Sequence, residues 1–230
     1  MFPVRDNLRK ERLPAVTLTL VALNTLIYFW DRQWHFSGPN VVFADLAMRP
    51  QEVMRALGNS PNIDKFPLGT LFTSMFLHAN LVHLLGNVIF LMVFGPSIER
   101  VMGGWRYVLY YIFWGVAASV TQVYVHPNSV GSVLGASGAI GGILGAYFVL
   151  FPSSKIEVIV PILLFLSFEI AAWILLGAWF LIQILLPQDG VANWAHVGGF
   201  LAGMVTVLII GRKALLRNDD APELLPATPI

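Results

Sequence analysis

GASGAIGGILGAY, residues 135–147, and NWAHVGGFLAGM, residues 193–204, are the two stretches on which the fold turns. Neither contains a charged residue, and both set small residues at helical spacing. Ser137, Gly141 and Gly145 fall at i, i+4 and i+8, with Gly138 and Gly142 beside them. His196, Gly199 and Gly203 fall at i, i+3 and i+7. Small residues at such intervals let helix backbones approach closely in lipid. If these two faces meet, Ser137 comes within reach of His196. A serine beside a histidine is the minimum unit for nucleophilic catalysis, the imidazole taking the hydroxyl proton during attack.

The rest of the chain is written for a bilayer. Of 230 residues, 57% are hydrophobic and only 12% charged, with a mean hydropathy of +0.71. Soluble chains carry about 25% charged residues. A net charge of +1 without a basic stripe argues against a nucleic-acid partner. The absence of cysteine excludes disulfides, thiolate catalysis and thiolate metal sites. A helix needs about 20 apolar residues to cross the hydrocarbon core. By that measure six spans are expected, at 13–30, 76–94, 106–125, 135–151, 170–187 and 193–211. No small-residue cleavage site follows the first apolar run, so it reads as a retained anchor.

The expected fold class is therefore an all-α membrane protein, a bundle of six transmembrane helices with a long first external loop. Residues 1–12 are expected as a cytoplasmic segment, 13–212 as the six-helix domain, and 213–230 as a Pro-rich, disordered cytoplasmic tail. Between Lys155 and Asp189 the pattern is ambiguous, because Glu157, Pro161 and Glu169 interrupt it. Residues 156–168 are read as an apolar segment lying at or dipping into the cytoplasmic side. A single tilted, kinked helix is the alternative. In the first loop, DLAMRPQEVMRAL has an amphipathic helical pattern suited to the interface.

Basic residues orient the bundle. With the N terminus inside, Arg5, Arg9, Lys10, Arg12, Arg100, Arg106, Lys155, Arg212, Lys213 and Arg217 are cytoplasmic, and only Arg32, Arg49, Arg55 and Lys65 lie outside. Ten against four is the bias expected of cytoplasmic loops. Spans two, four and six then run inward from the external face, and each carries polar residues early. Span two has His83 and Asn87, four apart and on one helical face. Span four has Ser137 and span six His196. Polar groups are costly in a membrane interior and mark functional sites. Four of them converging at one shallow depth from three helices is hard to attribute to packing. Taken singly, each has a plainer explanation, since a lone intramembrane serine usually bonds to its own helix. A metal is disfavoured because no carboxylate shares the layer, and His78 and His83, five apart, would point apart on a helix. No cofactor is expected.

The combination resembles the rhomboid family over nearly the whole chain. The motifs that carry the resemblance are His83-Leu84-Leu85-Gly86-Asn87, Gly135-Ala136-Ser137-Gly138, and Ala195-His196-Val197-Gly198-Gly199 with Gly203 after it. Glu99-Arg100, read as lying in a short loop after span two, also looks like the family. The resemblance implies an intramembrane serine protease, with Ser137 as nucleophile and His196 as general base in a dyad without aspartate. It implies that His83 and Asn87, with Gly135, Ala136 and the backbone N–H of Ser137, form the oxyanion and substrate-binding region. Gly138, Gly142, Gly199 and Gly203 are expected to pack the helices. The partners implied are transmembrane protein substrates within the lipid bilayer, cut near a helix end, with span five moving away from span two as the gate. One departure stands out. Family members often place an aromatic four positions after the serine, where it stacks on the histidine. This chain has Gly141, leaving Tyr147 or Trp194 as candidates to support His196.

The rival reading is a catalytically inactive rhomboid-like protein that binds membrane clients. Such relatives typically lack the serine or the histidine, and this chain has both. A transporter would need a charged residue lining a water path, for which Glu169 is the candidate. Zero cysteines and short termini suit a prokaryotic plasma (inner) membrane.

Overall fold

In the computed structural model, which describes residues 2–8, 13–34, 43–58, 66–160, 166–188 and 190–216, the chain is predominantly helical. The helices are α1 (Ala15–Asp31), α2 (Pro50–Leu57), α3 (Phe66–Thr73), α4 (Leu81–Met102), α5 (Gly104–Val125), α6 (Ser137–Leu150), α7 (Ala172–Leu185), α8 (Asn193–Ile210) and α9 (Arg212–Leu216). By length and composition α4, α5 and α8 can each cross a membrane, whereas α1, α6 and α7 are apolar but shorter. The tail from 217, the stretches 35–42 and 59–65, and the basic residues Arg9, Lys10, Arg12 and Lys65 lie outside the described residues.

α6 is the hub. From Gly138 to Tyr147 every residue is buried, against α4 on one side and against α5 and α8 on the others. The glycines set the spacing of the central pair. A Cβ on Gly199 would strike the carbonyl oxygen of Gly138, and one on Gly203 that of Gly142. A methyl group on either would force the two backbones apart. At the far end of α6, Arg212 of α9 donates from Nε to the carbonyl of Leu150 at 3.1 Å. A cation thus meets one of the carbonyls a helix end leaves unsatisfied.

α4 starts where Asn80 caps it, the side-chain oxygen accepting from the N–H of His83 at 2.8 Å. It then runs further than its charge pattern implies. Glu99 and Arg100, expected in a loop, lie inside its last turns, and the chain reverses at Gly103, whose φ is +78°. The physical reason is a partner for the carboxylate. Glu99 accepts from the N–H groups of Val16 and Thr17 at 2.9 and 2.8 Å and from Thr17 Oγ1 at 2.7 Å. α1 follows Pro14, has no side-chain cap of its own, and receives one from another helix.

The expectation of an all-α fold is corrected by a three-stranded antiparallel sheet of β1 (Phe2–Asp6), β2 (Lys155–Val160) and β3 (Leu166–Ala171), in the order β1-β2-β3. Residues 156–160 and 166–168 are thus paired antiparallel strands rather than an irregular dipping segment or a kinked helix, and 161–165 lie outside the described residues. The period-two pattern of KIEVIV explains it. Ile156 and Val158 are buried while Lys155 and Glu157 face outward. Their charges are paired, Arg5 with Glu157 at 2.5 Å and Lys155 with Glu169 at 3.1 Å. Glu169 therefore sits on an exposed strand beside a lysine, which removes the feature that favoured a transporter. Residues 2–8 belong to the packed body. Asp6 is buried and accepts from Ser97 Oγ at 2.8 Å and from the Tyr147 hydroxyl at 3.1 Å.

On the opposite side from the sheet, the first loop is pinned to the bundle. Arg32 is buried and donates to the carbonyls of His78 and Ala79. Met48 and Val133 exchange two backbone hydrogen bonds, of 3.0 and 2.7 Å. α2 buries Val53 and Ala56 and leaves Met54 and Leu57 exposed, in keeping with the amphipathic pattern.

Candidate active site

The site forms where α6, α8, α4 and α7 meet. Ser137 is the first residue of α6. It is aimed by the turn before it, in which Gly135 has φ +126° and donates its N–H to the carbonyl of Ser74 at 2.9 Å. A Cβ on Gly135 would lie 2.7 Å from the His83 ring, so glycine is required there both by conformation and by space. Ala136 is fully buried behind it. His196 lies in the first turn of α8. The N–H of the preceding residue, Ala195, donates to Gln122 Oε1 of α5 at 3.1 Å, which helps hold that turn.

Ser137 Oγ and His196 Nε2 are 2.8 Å apart. The glycine seam below them accounts for this closeness, because α6 and α8 touch backbone to backbone at Gly138–Gly199 and Gly142–Gly203. A cleft of about 450 Å³ opens over the pair. His83, Gln122, Ser137 and His196 line it together with the turns at 129–134 and 190–192. Asn87 lies one helical turn beyond His83 on the same face of α4. It is buried, and its Nδ2 has no hydrogen-bond partner among the described residues. A buried donor without an acceptor is costly and calls for an explanation. A ligand oxygen that forms during a reaction is one.

Two other placements differ from expectation. His78 precedes α4 rather than continuing it, so its ring packs edge-on against His83 with centroids 5.3 Å apart instead of pointing away. Tyr147 lies ten residues along α6 from Ser137, bonded to Asp6 and Ser154, and does not support His196. The support comes from α7. Gln183 Oε1 is 2.7 Å from His196 Nδ1, and the Trp179 ring lies against the imidazole, centroids 5.7 Å apart and tilted by 34°. Gly141 has no space for an aromatic, since a Cβ there would lie 2.9 Å from the His196 carbonyl oxygen. Sequence reasoning missed both α7 residues. The signal was there in Gln183, an amide in an otherwise apolar helix.

Chemically, the arrangement offers a hydroxyl hydrogen-bonded to an imidazole, a cleft above it, and donors to one side. Residues 66–213 match the family model described as the Rhomboid domain. The chain is 29% identical over 230 residues to Rhomboid protease AarA of Providencia stuartii, covering 89% of this chain and 76% of that protein. It is 30% identical over 160 residues to RHOMBOID-like protein 1 of Arabidopsis thaliana, covering 67% of this chain and 37% of the relative. With Rhomboid-type serine protease 2 of Emericella nidulans it shares 34% over 147 residues, covering 60% of this chain and 26% of the relative. The chain thus spans about a third of the plant relative's length and three quarters of the bacterial one's. With the domain match covering well over half of its residues, the chain belongs to the rhomboid family.

Proposed function

We propose that the protein is an intramembrane serine endopeptidase that hydrolyses peptide bonds in or near transmembrane segments of other membrane proteins. The observation that carries this reading is the 2.8 Å contact of Ser137 Oγ with His196 Nε2 at the floor of a cleft. Ser137 attacks the scissile carbonyl while His196 takes its proton. The oxyanion is received by the backbone N–H of Ser137 and by His83 and Asn87. His196 then returns the proton to the leaving amine, and water hydrolyses the acyl-enzyme by the reverse sequence. Each preorganised donor to the oxyanion is worth about 3 kcal/mol. A scissile bond within a helix must first give up its helical hydrogen bond, which favours substrate helix ends with small residues.

In this reading α1, α4, α5, α6, α7 and α8 are six spans of 13–212 in a prokaryotic plasma membrane. Segments 1–12 and 213–230 are cytoplasmic, and the long loop between α1 and α4 is external. The distribution of lysine and arginine supports that orientation. At 14 residues α6 is only about 21 Å long, short of the roughly 30 Å hydrocarbon core. A helix that begins below the external surface leaves room for a water-filled cleft above its first residue.

The test is cleavage of a model transmembrane substrate by the detergent-solubilised protein, with Ser137→Ala and His196→Ala for comparison. Each substitution is expected to lower kcat by about 10⁴-fold or more, with folding retained, and a serine-reactive phosphonate labels only chains that keep Ser137. A wild-type protein that neither cleaves nor labels would sink this reading and favour a client-binding role.

A further inference from the structure

α7 is the least embedded of the long helices. Of its residues only Ala172, Leu176 and Gln183 are buried, while Trp173, Ile174, Leu181, Ile182 and Leu185 are exposed. An amide in such a helix is expensive unless it is bonded, and the Gln183 oxygen has a partner in His196 Nδ1 at 2.7 Å. Trp179, one turn earlier on the same face, lies against the same imidazole. A neutral imidazole has one donor and one acceptor nitrogen. For Ser137 to donate to Nε2, that nitrogen must hold the lone pair, so the proton sits on Nδ1 and needs an acceptor. Gln183 Oε1 is that acceptor.

We propose that Gln183 is a positioning residue of the site, fixing the tautomer and ring orientation of His196 from α7, so that the dyad is armed only while α7 is docked on α8. The proposal rests on Ser137 and His196 being the reacting pair. When His196 takes the serine proton it becomes a cation with both N–H groups donating, and the bond to Gln183 strengthens at that moment. The amide acts as a neutral counterpart of a triad carboxylate. It orients the ring without bringing a charge into an apolar helix. Because the bond is made only across the α7–α8 contact, any outward movement of α7 breaks it and frees the ring.

The experiment compares wild type, Gln183→Met, Gln183→Glu and Ser137→Ala as full chains in detergent. Methionine keeps the size and suits the apolar helix but removes the acceptor. Glutamate keeps an acceptor oxygen whether or not it is protonated. The readouts are kcat and KM on a transmembrane substrate, the rate of phosphonate labelling at Ser137, the thermal midpoint, and the ¹⁵N signals of His196. Gln183→Met is expected to lower kcat and labelling about 10- to 100-fold, to leave KM and the thermal midpoint near wild type, and to give a mixture of tautomers. Gln183→Glu is expected to restore most of the rate and the single Nδ1–H tautomer. Unchanged kcat in Gln183→Met, or an equal loss in both Gln183 variants, overturns the proposal, as does a wild-type spectrum lacking the Nδ1–H form. If Ser137→Ala is inactive while Gln183→Met is not, only this inference falls. If Ser137→Ala cleaves like wild type, the dyad reading falls and takes this one with it.

Discussion

Asn87 carries the clearest single-residue test of the oxyanion arrangement. Its Nδ2 is buried without an acceptor among the described residues, which costs stability at rest and is useful only when negative charge forms nearby. Asn87→Ala is expected to lower kcat by about 10²- to 10³-fold without lowering the thermal midpoint, as steady-state kinetics beside a melting curve will check. An equal loss of stability would instead mark the amide as structural. At this scale the sequence was readable wherever a residue type is chemically exclusive. Ser137, His196, His83 and Asn87 stood out because polar groups in apolar spans need reasons. Gln183 carried the same signal, but nothing in its spacing said which helix it faced. The aromatics the sequence offers to support His196 stand on α6 and α8, whereas Gly141 is closed off by the His196 carbonyl and the ring is held from α7.

Between α6 and α8 the contact is made by backbone, so the pair tolerates no added side chain along its seam. Gly203→Val would drive a branched side chain into the Gly142 carbonyl. Overpacking of this kind costs about 1–3 kcal/mol and would separate Ser137 from His196, so both the thermal midpoint and activity are expected to fall. Gly69→Ala on α3 is the control, because a Cβ there meets nothing within 4 Å, so its midpoint should not fall and stability should rise by up to about 1 kcal/mol. An unaltered midpoint in Gly203→Val would refute the tight seam. This seam was legible in advance because its spacing is a property of one helix face. The sheet was not, although KIEVIV alternates in strand fashion. Its pairing depends on residues 2–6, far away in sequence, and bulk hydrophobicity hid the period of two. Glu99 is a related case, since a charge between two apolar stretches implies a loop, whereas the amides of α1 receive the carboxylate and let α4 run on past it.

The whole molecule joins a polar cleft bounded by the first loop and the turns at 129–134 and 190–192 to a small sheet at the opposite end. The proposed topology assigns these ends to opposite sides of the membrane. Because the chain has no cysteine, single substitutions report sidedness without background. Val130→Cys is expected to react with a membrane-impermeant maleimide added outside intact cells, and Lys213→Cys only after permeabilisation. The reverse pattern would invert the orientation. The three-stranded sheet also has a consequence in time. Arg5 meets Glu157 across a separation of 152 residues, and ribosomes add about 5–20 residues per second. Roughly 8 to 30 seconds therefore pass between synthesis of Phe2–Asp6 and synthesis of the strand they pair with. For most of that interval Asp6 lacks the Tyr147 hydroxyl, and the first strand waits unpaired while α1 to α6 are made. A strand made well before the one it pairs with is thus among the last pieces to reach its place, and a bulky fusion just ahead of Phe2 is expected to hinder that closing step of assembly.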